Sequence, residues 1–373
     1  MFRRNSLRHT SRKRRKTNFS TYDIGGGSNF GSPLFYRIDM RLWIAILLMV
    51  LLSGADMNAK TRSNPVISRN WPDPTVWKDG DTFYTIATEV GTILTSKDMV
   101  EWTDMKISPL SADARTEARK VGRHFWAPDM VKLGDKWMLY LTCYNSAEDC
   151  GIVAFESSSP TGPWEYVSLV THSKINGIKD TIDPEVLKDP SSGKVWMFFG
   201  SVGKMHRVEL NAEGTAVAPG AGYVHVAGLD IEDNPSRTSV FEGAYLYRHK
   251  GFWYLFASGG KYYNESYRIV VGRSRSLKGT FVDKQKRKMT DGFASVVIRS
   301  EDGDDFYGPG HNAEIFKDIQ GNHYIMYHCH QRSTGNQGAR YTLIQRICWG
   351  RDGWPYVEGG KPAIVAESPC LYK

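Results

Sequence analysis

From about residue 70 onward the chain alternates short apolar runs with polar turns. The runs are rich in Val, Ile, Tyr, Phe and Trp, and the turns in Gly, Asp, Asn and Ser. That pattern predicts strands joined by tight turns, and no segment carries a long helical period. The runs also recur as a unit. A small or acidic residue heads an apolar run; a polar turn follows, then an aromatic strand, then a strand closing on Ser or Arg. The first copy reads Asp73-Pro-Thr-Val-Trp-Lys-Asp-Gly-Asp-Thr-Phe-Tyr84, followed by Ile93-Leu-Thr-Ser96. The equivalent starts are Asp73, Ala127, Asp183, Glu242 and Asn312, separated by 54, 56, 59 and 70 residues. Repeats of this length, with several strands each, predict propeller blades. The expected fold is an all-β, five-bladed β-propeller forming a single domain over residues 60–373.

Residues 1–59 do not belong to that pattern. Met40-Arg41 precede an apolar run from Leu42 to Leu52, and Ser53-Gly54-Ala55 follow. A basic start, a short apolar run and a small-residue end predict a signal peptide, with Met40 as an alternative start. The run is too short for a membrane-spanning helix, so the expected product is secreted or periplasmic, with no stable membrane span after processing. The net charge of +8 changes meaning here. Ten Lys or Arg against three acids place +7 of it in residues 1–59. The near-neutral remainder offers no electrostatic footprint for nucleic acid. Five cysteines (Cys143, Cys150, Cys329, Cys348 and Cys370) leave an odd thiol. Cys143 and Cys150 are close enough to bridge a hairpin, but spacing leaves the pairing open.

The starts of the repeats carry the chemistry. The first strand of a propeller blade lines the central channel, so equivalent starts converge on one axis. Three of the five are acidic: Asp73, Asp183 and Glu242. Carboxyl groups crowded in a shielded pocket separate in pKa through burial and repulsion. Glycoside hydrolysis needs that separation, with one protonated acid and one ionised carboxylate. Trp71, Phe125 and Trp126 flank blade starts and are candidates for stacking on sugar rings. The expected partner is a polysaccharide or oligosaccharide, bound by a monomer.

These residues resemble glycoside hydrolase family 43, the inverting five-bladed propellers that act on arabinose- and xylose-containing polysaccharides. The match runs over roughly residues 64–357. It rests on Trp71-Pro-Asp73-Pro-Thr-Val76, Thr181-Ile-Asp183-Pro-Glu-Val186 and Phe241-Glu242-Gly-Ala-Tyr245, supported by Trp126-Ala-Pro-Asp129 and Ser159-Pro-Thr-Gly-Pro-Trp164. The resemblance implies that Asp73 is the general base, Glu242 the proton donor, and Asp183 the acid that orients the donor and tunes its protonation. It also implies a base-to-acid separation of roughly 6.5–9.5 Å, wide enough for the attacking water.

Within that family the chain looks most like the endo-acting arabinanases, through Gly308-Pro-Gly-His-Asn312 and Tyr267-Arg-Ile-Val-Val-Gly-Arg-Ser274. That likeness implies cleavage of α-1,5-linked arabinan. It makes His311 a candidate for binding one calcium-type ion in the channel, and Ser201 a candidate substrate contact. Two departures, Gly200-Ser-Val-Gly203 and Ala257-Ser-Gly-Gly-Lys-Tyr-Tyr263, fall near expected substrate contacts. An exo-acting arabinofuranosidase or xylosidase, and a non-catalytic sugar-binding propeller, remain the alternatives.

Overall fold

The computed structural model describes residues 61–230 and 240–371. The extension and signal peptide expected over residues 1–59 lie outside the described residues. A short strand β1 (Thr61–Ser63) comes first. Five antiparallel sheets follow in chain order, as the repeats predict. The first contains β2 (Thr75–Asp79), β3 (Thr82–Ile86), β4 (Leu94–Ser96) and β5 (Thr103–Asp104). The second contains β6 (His124–Leu133), β7 (Lys136–Ser146), β8 (Asp149–Ser157) and β9 (Glu165–His172). The third contains β10 (Glu185–Lys188), β11 (Val195–Phe199), β12 (Met205–Leu210) and β13 (Val224–Ala227). The fourth contains β14 (Phe241–His249), β15 (Phe252–Gly259), β16 (Arg268–Ser274) and β17 (Ser295–Arg299). The fifth contains β18 (Phe306–Gly310), β19 (Ile315–Lys317), β20 (His323–Gln331), β21 (Tyr341–Trp349) and β22 (Pro355–Val357). Strand β23 (Val365–Glu367) returns to pair with β1.

Each blade packs face to face on the next, which explains the aromatic second strands. All five residues of β11, Val-Trp-Met-Phe-Phe, are buried, and so are seven of the eight in β15. Strands covered on both faces read as unbroken apolar runs. The core is correspondingly divided among the blade junctions. Trp77 and Ile86 of the first blade pack with Leu139 and Val153 of the second. Val76 and Phe83 pack with Tyr324, Met326 and Ile344 of the fifth, which closes the circle. The first and last parts of the chain are joined there. Asn64 donates to the carbonyl of Ile344 at 3.0 Å and accepts from its N–H at 3.1 Å.

One helix, α1 (Ala112–Val121), interrupts the β pattern between the first two blades. Ser111 caps it by accepting from the N–H of Ala114 at 3.1 Å. Its buried face consists of Ala114 and Ala118, too small a pair to write a hydrophobic period into the sequence. Cys143 and Cys150 form no disulfide. They lie on adjacent strands but pair with Gly151 and Tyr144 respectively, out of register with each other.

Candidate active site

At the inner end of every blade the chain bends through a left-handed residue. Asp73, Ala127, Asp183, Gly243 and His311 have φ of 52°, 40°, 56°, 60° and 45°. The conformation costs a non-glycine residue roughly 1–2 kcal/mol, and the neighbouring blade holds it in place. Ala127 N–H donates to Thr88 Oγ1 at 3.1 Å. Asp183 N–H donates to Thr142 Oγ1 at 3.0 Å, and His311 N–H to Ser258 Oγ at 2.7 Å. Asp73 N–H donates to His328 Nδ1 at 3.1 Å. The bends also correct the repeat alignment. The equivalent residues of the last two blades are Gly243 and His311, one position away from the expected Glu242 and Asn312. Asp73, Asp183 and His311 therefore share one blade position, and Glu242 stands immediately before it.

These residues converge on a cavity of about 470 Å³, lined among others by Asp73, Asp183, Ser201, Glu242, His311 and Arg340. Asp73 is the most heavily partnered. Its Oδ1 lies 2.6 Å from Nη1 of Arg340 and 3.2 Å from Nδ1 of His311. Its Oδ2 accepts from the Thr88 hydroxyl at 2.7 Å. Burial opposes its ionisation, but Arg340 and then His311 outweigh burial and hold the carboxyl well below its ordinary range. His328 Nδ1 is 3.4 Å from the same oxygen. That contact is not an ion pair. Burial, followed by the Arg340 charge, keeps His328 neutral, and its Nδ1 is the acceptor for the Asp73 amide.

Asp183 is driven the other way. Burial raises it to about 7, with Glu242 and Asp73 adding to the rise and His311 opposing it. Two carboxyls in equivalent positions thus differ in protonation because only one has an arginine. Glu242 is fixed by two hydroxyls: Ser201 Oγ lies 2.6 Å from Oε2, and Tyr267 Oη 2.6 Å from Oε1. Ser201, expected at the substrate, lines the cavity and spends its hydroxyl on the acid. Tyr267 is fully buried and reaches Glu242 across Gly310, where a Cβ would overlap its ring. That close approach explains the glycine in the Gly-His-Asn segment.

The aromatic candidates divide. Trp126 lines the cavity, stacked on Tyr144 with centroids 4.1 Å apart. Trp71 and Phe125 do not line it. Trp71 is 6% exposed, bonds Thr85 through Nε1 and packs with Ile67, Ala87 and Leu94. Phe125 is 2% exposed within the core between the first two blades. Alternation along the strand explains the split, since Phe125 and Trp126 are adjacent and point to opposite faces.

His311, the candidate for binding a calcium-type ion, lines the cavity with its Nδ1 3.2 Å from Oδ1 of Asp73. Burial disfavours its charge, but Asp73, Asp183 and Glu242 together raise it to about 9. No group of three or more His, Cys, Asp or Glu among the described residues is arranged to hold a metal ion. Arg340, Tyr267, Thr88, Tyr144 and Asp180 are site residues that sequence reasoning missed. Arg340 comes to Asp73 from the last blade, and Thr88, Tyr144, Tyr267 and Asp180 meet the cavity or a carboxyl from loops and strand ends that carry no local motif.

The family model of the glycosyl hydrolases family 43 matches residues 62–355. The chain belongs to glycosyl hydrolase family 43. Similar proteins include an extracellular exo-α-(1→5)-L-arabinofuranosidase of Cellvibrio japonicus, 28% identical over 77% of this chain and 86% of the relative. They also include an extracellular endo-α-(1→5)-L-arabinanase of Bacillus subtilis, 27% identical over 76% of this chain and 86% of the relative. The solved structure of a Cellvibrio cellulosa α-L-arabinanase complexed with arabinohexaose superimposes with a TM-score of 0.66 at 27% identity, covering 77% of this chain and 95% of that one. The family 43 propeller thus carries its acidic cavity at the blade starts, where the repeats place the carboxyls.

Proposed function

We propose that this family 43 glycosidase hydrolyses α-1,5-linked L-arabinan by a single inverting displacement. The observation that carries the mechanism is the convergence of Asp73, Asp183 and Glu242 on one cavity, with Asp73 held by Arg340 at 2.6 Å and Glu242 by the Ser201 and Tyr267 hydroxyls. Asp73 takes a proton from a water molecule. The water oxygen forms a bond to the anomeric carbon on the face opposite the leaving group. The glycosidic C–O bond breaks as Glu242 gives its proton to the departing oxygen. Protonated Glu242 is compatible with its two partners. Tyr267 donates to one oxygen, while the Ser201 hydroxyl both donates and accepts, so it can rotate to receive the acid proton. Asp183 lies close enough to Glu242 and Asp73 to feel both charges. Arg340 supplies the fixed positive charge of the cluster, with His311 beside it.

The substrate follows from the relatives, several of which are named for endo-acting cleavage of arabinan. An exo-acting reading is kept by the Cellvibrio japonicus relative. Export to an extracellular or periplasmic space fits relatives that are named extracellular. Incubation with linear 1,5-arabinan and separation of products by size tests the proposal. A ladder of oligosaccharides is expected. Arabinose alone means exo action, and no product from arabinan, xylan or arabinoxylan favours a binding propeller.

A further inference from the structure

A fourth carboxyl, Asp180, lines the same cavity, and the mechanism leaves it unused. It stands three residues before Asp183, in a left-handed conformation with φ of 49°. Two backbone bonds fix the turn. Asp180 N–H donates to the Ala147 carbonyl at 2.9 Å, and the Asp180 carbonyl accepts from Ile182 N–H at 2.9 Å. Thr181 is anchored behind it, donating to the Ile178 carbonyl at 2.8 Å. The side chain is presented by a rigid support.

Its partners are few. The Tyr144 hydroxyl hydrogen-bonds the carboxyl, and the Tyr144 ring carries Trp126. Among the described residues no Lys, Arg or His makes an ion pair with Asp180. The neighbouring Lys179 pairs with Glu148 at 3.3 Å instead. Asp73 contrasts sharply, because arginine, histidine and threonine occupy its oxygens. Asp180 faces the cavity with acceptor capacity that one phenol cannot fill.

Its charge environment and its backbone neighbours together give its place in the cleft. Burial raises Asp180 to about 6, followed by the charges of Glu148 and then Glu242, with Lys179 opposing. The Ile182 carbonyl, two residues on, accepts from Gly200 N–H at 2.7 Å, and the next residue, Ser201, holds Glu242, so Asp180 stands on the Glu242 side of the cleft. Glu242 must meet the glycosidic oxygen, so the departing sugar lies against Glu242 and the groups beyond it. Asp180, Tyr144 and Trp126 form that flank, an aromatic pair beside an acceptor.

We propose that Asp180 determines specificity on the leaving-group side of the cleft, its carboxylate accepting hydrogen bonds from the hydroxyls of the departing sugar. The inference rests on the hydrolytic reading above and goes beyond it. It requires a leaving group with free hydroxyls and disfavours one that lacks them or carries substituents there. A site built to bond hydroxyls discriminates strongly, because its polar groups are otherwise left unpaired.

The test compares two substrates with the same sugars on the retained side, arabinotetraose and 4-nitrophenyl arabinotrioside, the latter followed at its aryl bond. In Asp180→Ala, kcat/KM for arabinotetraose should fall roughly 10- to 100-fold, the scale of a hydrogen bond to a charged group. For the aryl substrate it should stay within about 3-fold. Tyr144→Phe should lose less, in the same direction. Asp180→Asn keeps the shape and one acceptor, so it should fall between the wild type and Asp180→Ala and melt with the wild type. Equal losses on both substrates, or no loss on arabinotetraose, would overturn the proposal. A wild type that cuts neither substrate would overturn the hydrolytic reading itself, and this inference with it.

Discussion

Nη1 of Arg340 lies 2.6 Å from Oδ1 of Asp73, although 267 residues separate them in the chain. The pairing is held from the backbone side as well. Trp71 N–H donates to the Arg340 carbonyl at 2.7 Å, and Arg340 N–H to Asn70 Oδ1 at 2.9 Å. Asp73 must be ionised to act as a base, and Arg340 is the largest influence keeping it so. Replacing Arg340 with Met raises the Asp73 pKa, so the base is protonated at a higher pH. The acid limb of the kcat/KM profile should move to higher pH, as measured on arabinan across pH 3–8.

Asp73→Asn and Glu242→Gln should each lower kcat/KM by about 10²- to 10⁴-fold, the usual yield of a general base or acid. The two differ on an activated substrate. A nitrophenolate leaves without a proton, so Glu242→Gln should recover much of its rate on a nitrophenyl glycoside, and Asp73→Asn should not. Reversal of that order would exchange the two roles.

Tyr267→Phe removes one hydroxyl and leaves the ring against Gly310. The lost bond to Glu242 should lower kcat by roughly tenfold, on the scale of one hydrogen bond to a carboxyl, with little change in KM. Gly310→Ala should be harsher. Its Cβ overlaps the Tyr267 ring, so both melting temperature and activity should fall, as followed by thermal unfolding beside the assay.

Below the catalytic layer, a second set of side chains ties blade to blade. Val186 N–H donates to Asp129 at 2.8 Å, Leu246 N–H to Glu185 at 3.1 Å, and Val76 N–H to Glu314 at 2.6 Å. Burial raises Asp129 to about 7. A carboxyl raised by folding binds its proton more tightly in the folded state. It stabilises the fold at low pH, and that contribution is lost as pH rises from about 4, the unfolded value, through about 7. Asp129→Asn keeps an acceptor for Val186 and cannot titrate. Its melting temperature should lose less than the wild type's between pH 5 and pH 8, measured by calorimetry.

Much of this was legible in the sequence, for identifiable reasons. The repeats show because each blade needs a turn, an aromatic second strand and a polar exit. Asp73 and Asp183 show because an acid followed by proline marks the start of an inner strand. The bend at Gly243 and His311 did not show, because a left-handed residue leaves no trace in hydropathy, and the last two blade starts were placed one residue off. Trp71 and Phe125 looked like Trp126, since nearness to a blade start does not reveal which face a side chain takes. Arg340 reaches Asp73 from the last blade, and only the closed circle brings it there; Tyr267 belongs to the same blade as Glu242, just before its third strand, where no motif marks it.

The junction that closes this circle also sets an order of events. Asp73 lies in the first blade to leave the ribosome, whereas His328 and Arg340, which hold its amide and its carboxylate, lie in the last. A nascent chain with four finished blades carries Glu242 and Asp183 but an unsupported base. Hydrolytic competence therefore arrives late and all at once, after the fifth blade has docked against the first.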